Sequence, residues 1–344
     1  MVSKARKAAA QASSNITGRK NLLFNGNMAV WQRGTSHSAG AAAGYTADRW
    51  RNSLANNEAR FTQSRDTETP AGFDYSMKLD CTTAEDGPAA NESVLLQQRI
   101  EGRDLQQLKK GTSSAEPLTL SFWVRSPKTG IHSVGIFEAT NSRFIGSTYT
   151  VASADTWEFH SCTFAGDTSG AIDNDNTEGL SIWWWFVAGS DYTGGTFATS
   201  WESYTEANLV HANQVNVFDS TSNNFYLTGC QLEVGNCPTP FEAISQQDNL
   251  FRCQRYYYVI TAMTAYLYSL IDSSGGSAYN RITFTHPPMR SNAPTGSISN
   301  TISSAASQGF QYAQEKTSTV YGNPSGGGTL TLLSSATITL TDEL

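Results

Sequence analysis

One stretch, residues 223–242, constrains the fold more than any other because it contains a strand and the end of that strand. Its residues alternate in two sets, which predicts one face with Phe225, Leu227, Gly229, Gln231 and Glu233 and another with Tyr226, Thr228, Cys230, Leu232 and Val234. Gly235 then interrupts the pattern, and Pro238 and Pro240 have no N–H to donate to a sheet. The sequence therefore predicts that this strand closes a domain and that the chain leaves it in an extended conformation.

Composition favours an all-β protein of about two domains. The chain has 344 residues, of which 15% are charged, 11% are aromatic and 28 are glycine. These values are typical of β-sandwiches rather than of helical or disordered proteins. The most apolar run, Trp183–Ala188, is far shorter than the ~20 residues that a membrane-spanning helix needs. We therefore expect two β domains and no membrane insertion.

Short strands at nearly regular spacing support the all-β prediction. In the first half, the clearest strand begins at Leu118, alternates as far as Arg125 and stops before Pro127. Further strands are predicted near 58–63, 74–80, 92–100, 131–139, 143–151, 156–164, 264–271, 279–285, 295–302, 310–313 and 329–341. Glu101–Lys110 predicts one or two helical turns, and Ser245 followed by Asp248 predicts a short helix between the domains.

Charge is distributed unevenly along the chain. Residues 1–20 contain five basic residues and no acidic one, whereas residues 246–344 contain five of each sign. Of the 23 basic and 30 acidic residues in the chain, 13 and 25 therefore lie in residues 21–245, a balance of −12. An acidic body of this kind argues against a nucleic-acid partner.

The cysteines indicate neither a disulfide framework nor a zinc site. There are five of them, an odd number, and no two have Cys-x-x-Cys spacing: Cys81, Cys162, Cys230, Cys237 and Cys253. Residues 1–20 also lack the apolar core of a signal peptide. We therefore expect the protein to fold in a reducing cytoplasm.

Three sets of motifs follow one another along the chain. The first is Asn21–Thr35 with Tyr45–Trp50, the second is Gln231–Glu242 (Gln-Leu-Glu-Val-Gly-Asn-Cys-Pro-Thr-Pro-Phe-Glu), and the third is Phe284–Thr295 (Phe-Thr-His-Pro-Pro-Met-Arg-Ser-Asn-Ala-Pro-Thr). In this order they resemble the opening strands, the final strand and the following small β domain of bacteriophage tail fibres and related glycan-binding proteins. The resemblance covers roughly residues 21–344.

This resemblance implies an all-β chain with three parts. We expect a jelly-roll, carbohydrate-binding-module-like sandwich over 21–245, a smaller β domain over 246–344 and an arm over 1–20. The arm is expected to bind another virion protein, a tail adaptor or a capsid protein, through Lys4, Arg6, Lys7, Arg19 and Lys20, although a merely disordered tail is the alternative. A homotrimer is expected and a dimer stays open. The protein would be assembled in the bacterial cytoplasm and reside in the virion.

The function implied by the resemblance is adsorption to a host surface glycan without catalysis, and the alternative is a head fibre or capsid decoration protein. The sequence contains no Gly-x-Ser-x-Gly, phosphate-loop or His-Glu-x-x-His motif. Its five histidines never come within five residues of one another, so no local metal pair is visible. We therefore expect no catalytic residues and no cofactor.

Aromatic residues are the candidate ligand contacts. The run Ile182–Ala188 is apolar on both faces, so it is either buried on both sides, in the core or between subunits, or it presents Trp183 and Trp185 to sugar rings. In the C-terminal domain the candidates are Tyr257 and Tyr321. The aromatic run around Tyr257 also fits a strand that packs against its own sheet.

A metal site is not predicted. The acidic stretch Asp173–Glu178 lacks the glycine and the final carboxylate of an EF-hand calcium loop, so it is interpreted as a solvated turn. Related jelly rolls sometimes hold calcium through a carboxylate after the Asn-Gly of the opening motif, but this sequence has Asn27 there.

Overall fold

The structure is a computed structural model that describes residues 19–344 apart from 40–43, 57–59, 262–264, 268–279, 292, 300–301, 304, 314–316, 325–329 and 333–336. Within 261–284 and 301–336, only the backbone is described. The chain divides into two compact units, residues 1–246 with Leu344 and residues 247–343. No helix among the described residues has the length and hydropathy needed to cross a membrane.

The first unit consists of two antiparallel sheets. One has the order β1-β4-β5-β13-β7-β10 and the other has the order β12-β9-β8-β11-β6-β3-β2. The strands are β1 (Ser36–Ala39), β2 (Gly44–Tyr45), β3 (Arg51–Ala55), β4 (Arg60–Asp66), β5 (Ser76–Thr83), β6 (Ser93–Glu101), β7 (Leu118–Arg125), β8 (Gly130–Glu138), β9 (Arg143–Val151), β10 (Glu158–Phe164), β11 (Glu178–Ala188), β12 (Glu202–Ser203) and β13 (Asn224–Val234). The helical segments are two 3₁₀ helices, Gly102–Leu108 and Glu206–Asn208, and α1 (Ser190–Thr193).

The hydrophobic core lies between the two sheets. The six-stranded sheet contributes alternate residues such as Phe122 and Leu227, and the seven-stranded sheet contributes Ile182 and Trp184, all of them fully buried. Period-two burial on facing antiparallel sheets defines a β-sandwich. The all-β, jelly-roll prediction is therefore confirmed, and the predicted helical turn is present as the 3₁₀ helix Gly102–Leu108.

Strand β13 departs from its predicted pattern at one residue. Its pairing with β7 shifts register between Thr228 and Gln231, and Gly229 there has a φ of +63°. This β-bulge adds one residue and reverses which set of side chains faces the core. Cys230 and Leu232 join the core, so the predicted faces are wrong beyond Gly229. Gln231 and Glu233 lie on the outer face instead.

Strand β11 is apolar on both sides because both of its faces are covered. Trp184 faces the core between the sheets, whereas Trp185 lies in a second apolar cluster on the outer face of the seven-stranded sheet. Residues 190–210 form the cover of that cluster. They contribute Tyr192, Ala198, Leu209 and Val210, and the Tyr192 ring lies 5.5 Å from that of Trp185.

A buried ion cluster ties the loop after the 3₁₀ helix to strands β8 and β9. Lys110 Nζ lies 3.2 Å from Glu138 Oε2 and 3.1 Å from Asp167 Oδ2, and Arg143 Nε donates to Asp167 Oδ2 at 2.6 Å. Burial by itself raises the pKa of the Asp167 carboxyl. Hydrogen bonds from Arg143, Ser169 and Lys110 outweigh burial and hold that pKa below its usual range. The cluster is therefore a set of compensated charges rather than an isolated acid.

The second unit begins with α2 (Gln246–Gln254), directly after Ser245 as the capping pattern predicts. The residues of this unit that the structure describes then form three three-stranded sheets, with the orders β14-β22-β17, β15-β21-β18 and β16-β20-β19. The strands are β14 (Tyr257–Thr261), β15 (Ala265–Leu267), β16 (Asn280–Thr285), β17 (Thr295–Ser299), β18 (Ile302–Ser303), β19 (Ala305–Ala313), β20 (Thr317–Pro324), β21 (Leu330–Leu332) and β22 (Thr337–Thr341).

The third sequence motif has a structural role in this second unit. Met289 is fully buried, as are Tyr256, Ile338 and Leu340. Next to it, the Arg290 guanidinium donates to the carbonyl oxygen of Asp342 at 2.8 Å and to its carboxylate at 3.1 Å. The motif thereby joins the segment before β17 to the end of β22.

Candidate functional site

An aromatic cleft opens on the outer face of the six-stranded sheet. Trp123 on β7 is paired with Thr228 on β13 and with Phe159 on β10, so these side chains form a row across three strands. The cleft has a volume of about 390 Å³. It is lined by Phe73, Ser121, Trp123, Phe159, Gly229, Pro238, Thr239, Pro240 and Phe241.

The bulge at Gly229 determines the shape of the cleft floor. A Cβ atom at this position would lie 2.7 Å from Phe73 Cζ and 3.0 Å from Trp123 Cδ1. A Cβ atom this close to ring carbons would clash with them, and the positive φ of residue 229 also disfavours any residue with a side chain. Glycine is therefore needed for Phe73 and Trp123 to approach the strand together.

The rings lie in two angled pairs around this floor. The Trp123 and Phe159 rings are 5.4 Å apart with planes at 57°, and the Phe73 and Phe241 rings are 5.2 Å apart at 67°. Phe159 is 46% exposed, which is unusual for a phenylalanine in a strand. Rings at these angles offer faces and edges to a ligand in the cleft rather than one flat platform.

One wall of the cleft, residues 238–241, is held by side chains of β13. Thr239 donates its N–H to Glu233 Oε1 at 2.8 Å and its hydroxyl to Glu233 Oε2 at 2.6 Å. Glu242 donates its N–H to Gln231 Oε1 at 2.7 Å, and Gln231 Nε2 donates to Glu233 Oε1 at 2.9 Å. We call Gln231, Glu233, Thr239 and Glu242 the clasp.

The clasp also binds the start of the sandwich. The Glu242 carboxylate accepts the N–H of Lys20 at 3.2 Å and that of Asn21 at 2.7 Å. Lys20 Nζ in turn donates to Thr239 Oγ1 at 2.5 Å and to the carbonyl oxygen of Pro240 at 2.6 Å. The polar residues of the Gln231–Glu242 motif thus have a structural role, because they fix the cleft wall and join the two ends of the first unit.

Beyond the cleft, the same sheet face is charged. Lys78 Nζ and the Arg125 guanidinium lie over the Tyr226 ring at 5.9 and 5.1 Å from its centre. Burial lowers the pKa of the Lys78 ammonium, but the hydrogen bond to Asp80 and neighbouring negative charges outweigh it and raise that pKa. Both cations are paired with acids, Lys78 with Asp80 and Arg125 with Asp155.

The predicted tryptophans lie on the opposite sheet from the cleft. Trp183 is half-buried on the outer face of the seven-stranded sheet, stacked on Phe137 at 5.1 Å and 21°, and it donates Nε1–H to Ser181 Oγ. Trp185 is 1% exposed beneath residues 190–210. It therefore offers no ring face to a ligand, and the expectation that it contacts sugar has to be corrected for the chain as described.

The other predicted residues do not join the cleft lining. Tyr257 is half-buried in β14 of the second unit, and Tyr321 lies in β20, where only the backbone is described. Lys4, Arg6 and Lys7 lie outside the described residues. The Arg19 guanidinium donates to the carbonyl oxygens of Asn21 and Leu22 and lies 3.9 Å from the centre of the Phe24 ring. Lys20 binds the cleft wall through the two hydrogen bonds of its ammonium.

The opening motif is also structural, and it shows no metal-binding arrangement. Asn25 Nδ2 donates to the carbonyl oxygens of Val30 and Asp48, and the Asp48 carboxylate accepts two hydrogen bonds from Gln32, at 2.7 and 2.6 Å. In the described part of the chain, no three His, Cys, Asp or Glu side chains are grouped as metal ligands.

Comparison with known proteins assigns no family. No family model matches the chain, and no curated protein matches it. Among solved structures, a putative sugar-binding protein from Bacteroides thetaiotaomicron matches 62% of this chain and all of its own length, with 12% identity and a TM-score of 0.33. A family 11 carbohydrate-binding module from Clostridium thermocellum matches 59% of this chain and 96% of its own, with 11% identity and a TM-score of 0.30.

A third similar structure is the enzymatically active domain of tailspike protein 4 from bacteriophage CBA120. It matches 62% of this chain with 11% identity and a TM-score of 0.30, and the match covers 21% of that domain's length. Similarities this distant indicate neither ligand nor activity, so the function is inferred from the cleft.

Proposed function

We propose that this protein is a virion fibre protein that adsorbs to a host surface glycan, without catalysis, through the aromatic cleft. The observation that carries the proposal is the row of half-buried Trp123 and exposed Phe159 above a glycine floor on one sheet face. Sugar rings present apolar C–H faces that pack on aromatic side chains, while their hydroxyl groups need a few directed polar partners. The cleft offers the aromatic faces, and its lining also includes two hydroxyl residues, Ser121, which is 2% exposed, and Thr239, whose hydroxyl bonds to Glu233.

The size and chemistry of the cleft support binding rather than hydrolysis. Its volume of about 390 Å³ is near the low end of ligand pockets, which suits one or two sugar units. Its lining side chains are aromatic rings, prolines, a serine and a threonine. Glycoside hydrolysis uses a pair of carboxyl groups on either side of the scissile bond, and the lining of this cleft supplies neither.

A fibre with several copies of this cleft would adsorb by avidity. A small cleft of this kind binds weakly, but linked copies convert the second contact into an intramolecular event and raise the overall affinity by orders of magnitude. The homotrimer expected from the resemblance would supply three clefts. Attachment to the virion through residues 1–20 completes this proposal.

Host-cell adsorption tests the proposal. The labelled full-length protein should bind host cells and compete with phage adsorption, and Trp123→Ala should do neither. Trp183→Ala, the same substitution on the outer face of the other sheet, is the matched control and should behave as the wild type. If the wild-type protein neither binds cells nor competes, while particles without it become fragile, the decoration function replaces adsorption.

A further inference from the structure

We infer that Lys20 is a positioning residue that holds one wall of the ligand cleft in place for the ligand. Its side chain does not line the cleft, but both of its acceptors, Thr239 and Pro240, belong to the cleft wall. The coupling to ligand rests on the proposed function, whereas the positioning of the wall does not.

The wall depends on side-chain contacts because its backbone offers few hydrogen-bond donors. Pro238 and Pro240 have no N–H, so residues 238–241 cannot be held by a regular ladder. Gly235, which precedes the segment, has a φ of +127°, and a Cβ atom there would meet nothing within 4 Å. The segment is thus fixed on one side by Glu233 and Gln231 and on the other by the Lys20 ammonium.

The charge on Lys20 stabilises two acceptors at the same time. The Thr239 hydroxyl donates to the Glu233 carboxylate, which is 2% exposed, and accepts from Lys20 Nζ. The ammonium therefore extends a chain of hydrogen bonds that ends on a buried carboxylate. Removing it leaves the Pro240 carbonyl oxygen and the Thr239 hydroxyl, as acceptors, with only the long contacts from Gln231 Nε2, at 3.5 and 3.4 Å.

The position of Lys20 and the binding of a ligand then affect each other. A partner that draws Lys20 away from the wall releases residues 238–241, and the ring of Phe241 moves with them away from Phe73. A ligand that packs against the wall favours the state in which Lys20 is seated. Coupling of this kind is reciprocal, so the seated Lys20 and an occupied cleft strengthen one another by the same factor.

Amide hydrogen exchange tests the positioning role without any ligand. Lys20→Met keeps the length of the side chain and removes the ammonium, and Arg19→Met removes the neighbouring positive charge, which lies over the Phe24 ring. We expect Lys20→Met to exchange about fivefold faster at the Thr239 and Glu242 amides, because two charged hydrogen bonds to the segment are lost. Arg19→Met should leave these two amides unchanged. Equal exchange in both variants overturns the inference.

Affinity for purified host surface polysaccharide tests the coupling to ligand. Lys20→Met should weaken binding about fivefold with an unchanged unfolding midpoint, and Arg19→Met should bind as the wild type. Unchanged affinity of Lys20→Met overturns the coupling. If Lys20→Met fails to fold, Lys20→Gln removes the charge with a polar side chain in its place and should show the same exchange and affinity pattern. Wild-type protein that binds no polysaccharide refutes the proposed function, while the exchange result still decides the role of Lys20.

Discussion

The carboxylate of Glu242 accepts the backbone N–H of Asn21 at 2.7 Å, so the last residue of one motif holds the first residue of another across 221 positions of sequence. The same glutamate donates its own N–H to Gln231. Entry to and exit from the sandwich are therefore fixed at a single point. The polar residues of these motifs close the domain and shape the cleft wall, while the cleft rings provide the proposed binding surface.

Glu242→Gln should destabilise the first unit by about 1–2 kcal/mol, because an amide is a weaker acceptor for two backbone N–H groups than a carboxylate is. All eight tryptophans precede residue 202, so their fluorescence reports on the unfolding of this unit alone. The control is Glu85→Gln, whose carboxylate accepts the N–H of Gly87 in an exposed turn. Equal unfolding midpoints for the two variants would show that the clasp does not hold the domain.

Lys110→Met should lower the free energy of unfolding by about 3–5 kcal/mol, since Glu138 and Asp167 are buried and would lose a shared counter-charge. Lys109→Met is the matched control, because Lys109 pairs with Glu116 in an exposed bridge worth about 0–1 kcal/mol. Urea unfolding followed by tryptophan fluorescence gives both values. Similar losses in the two variants would refute a role for the buried cluster in stability.

The first unit should lose stability on mild acidification because of His132. Burial and nearby His160 lower the pKa of His132 from 6.5 to about 4, although a hydrogen bond to the Lys128 carbonyl opposes this. Between these pH values the unfolded chain binds a proton that the folded chain does not, so stability falls as pH falls from 6.5 towards 4, by up to about 3 kcal/mol. Burial also lowers the pKa of His160, which acts in the same direction.

The variant His132→Gln isolates this contribution. Its unfolding free energy at a series of pH values between neutrality and the lowered pKa should change less with pH than that of the wild type, whatever its absolute stability, since the titrating ring is gone. Tryptophan fluorescence in urea is again the measurement. If the unfolding free energies of the two proteins change with pH in parallel, other groups cause the acid sensitivity.

Gly229→Ala should destabilise the first unit by about 2 kcal/mol or more, because it combines a positive φ with a steric clash. The added methyl would meet Phe73 and Trp123 on the cleft floor. Gly72→Ala is the control, since Gly72 also has a positive φ, +95°, but a Cβ there meets nothing within 4 Å. If Gly229→Ala costs no more than the roughly 1–2 kcal/mol of a left-handed backbone, strain alone accounts for the effect and the ring contacts are not part of it.

The sequence predicted the strands of the sandwich better than it predicted the faces of those strands. The alternation of side chains identified the strand that ends at Val234. A bulge in this strand shifts the later side chains to the opposite face, and only the glycine inside the strand indicated the position of the bulge. The helix after Ser245 followed from local capping chemistry. Local rules are sufficient for such elements, whereas a register shift depends on the partner strand.

The candidate site was missed for a related reason. Trp183 and Trp185 stand out in the sequence, yet whether a strand face is open depends on residues 190–210, which fold back over it. Trp123 shares the outer face of β7 with polar residues. This is a weaker signal in the sequence, but it does indicate an open face. Phe73, Phe159 and Phe241 come from distant parts of the chain, and only tertiary structure brings them together.

Isothermal titration of the full-length protein with purified host surface polysaccharide decides whether the aromatic cleft is the glycan site. Trp123→Ala should reduce affinity at least about tenfold, because a central aromatic contact in a small cleft typically contributes more than about 1–2 kcal/mol. Trp183→Ala, on the outer face of the other sheet, should bind as the wild type does. Loss of binding in Trp183→Ala with full affinity in Trp123→Ala would contradict the assignment of the cleft as the glycan site.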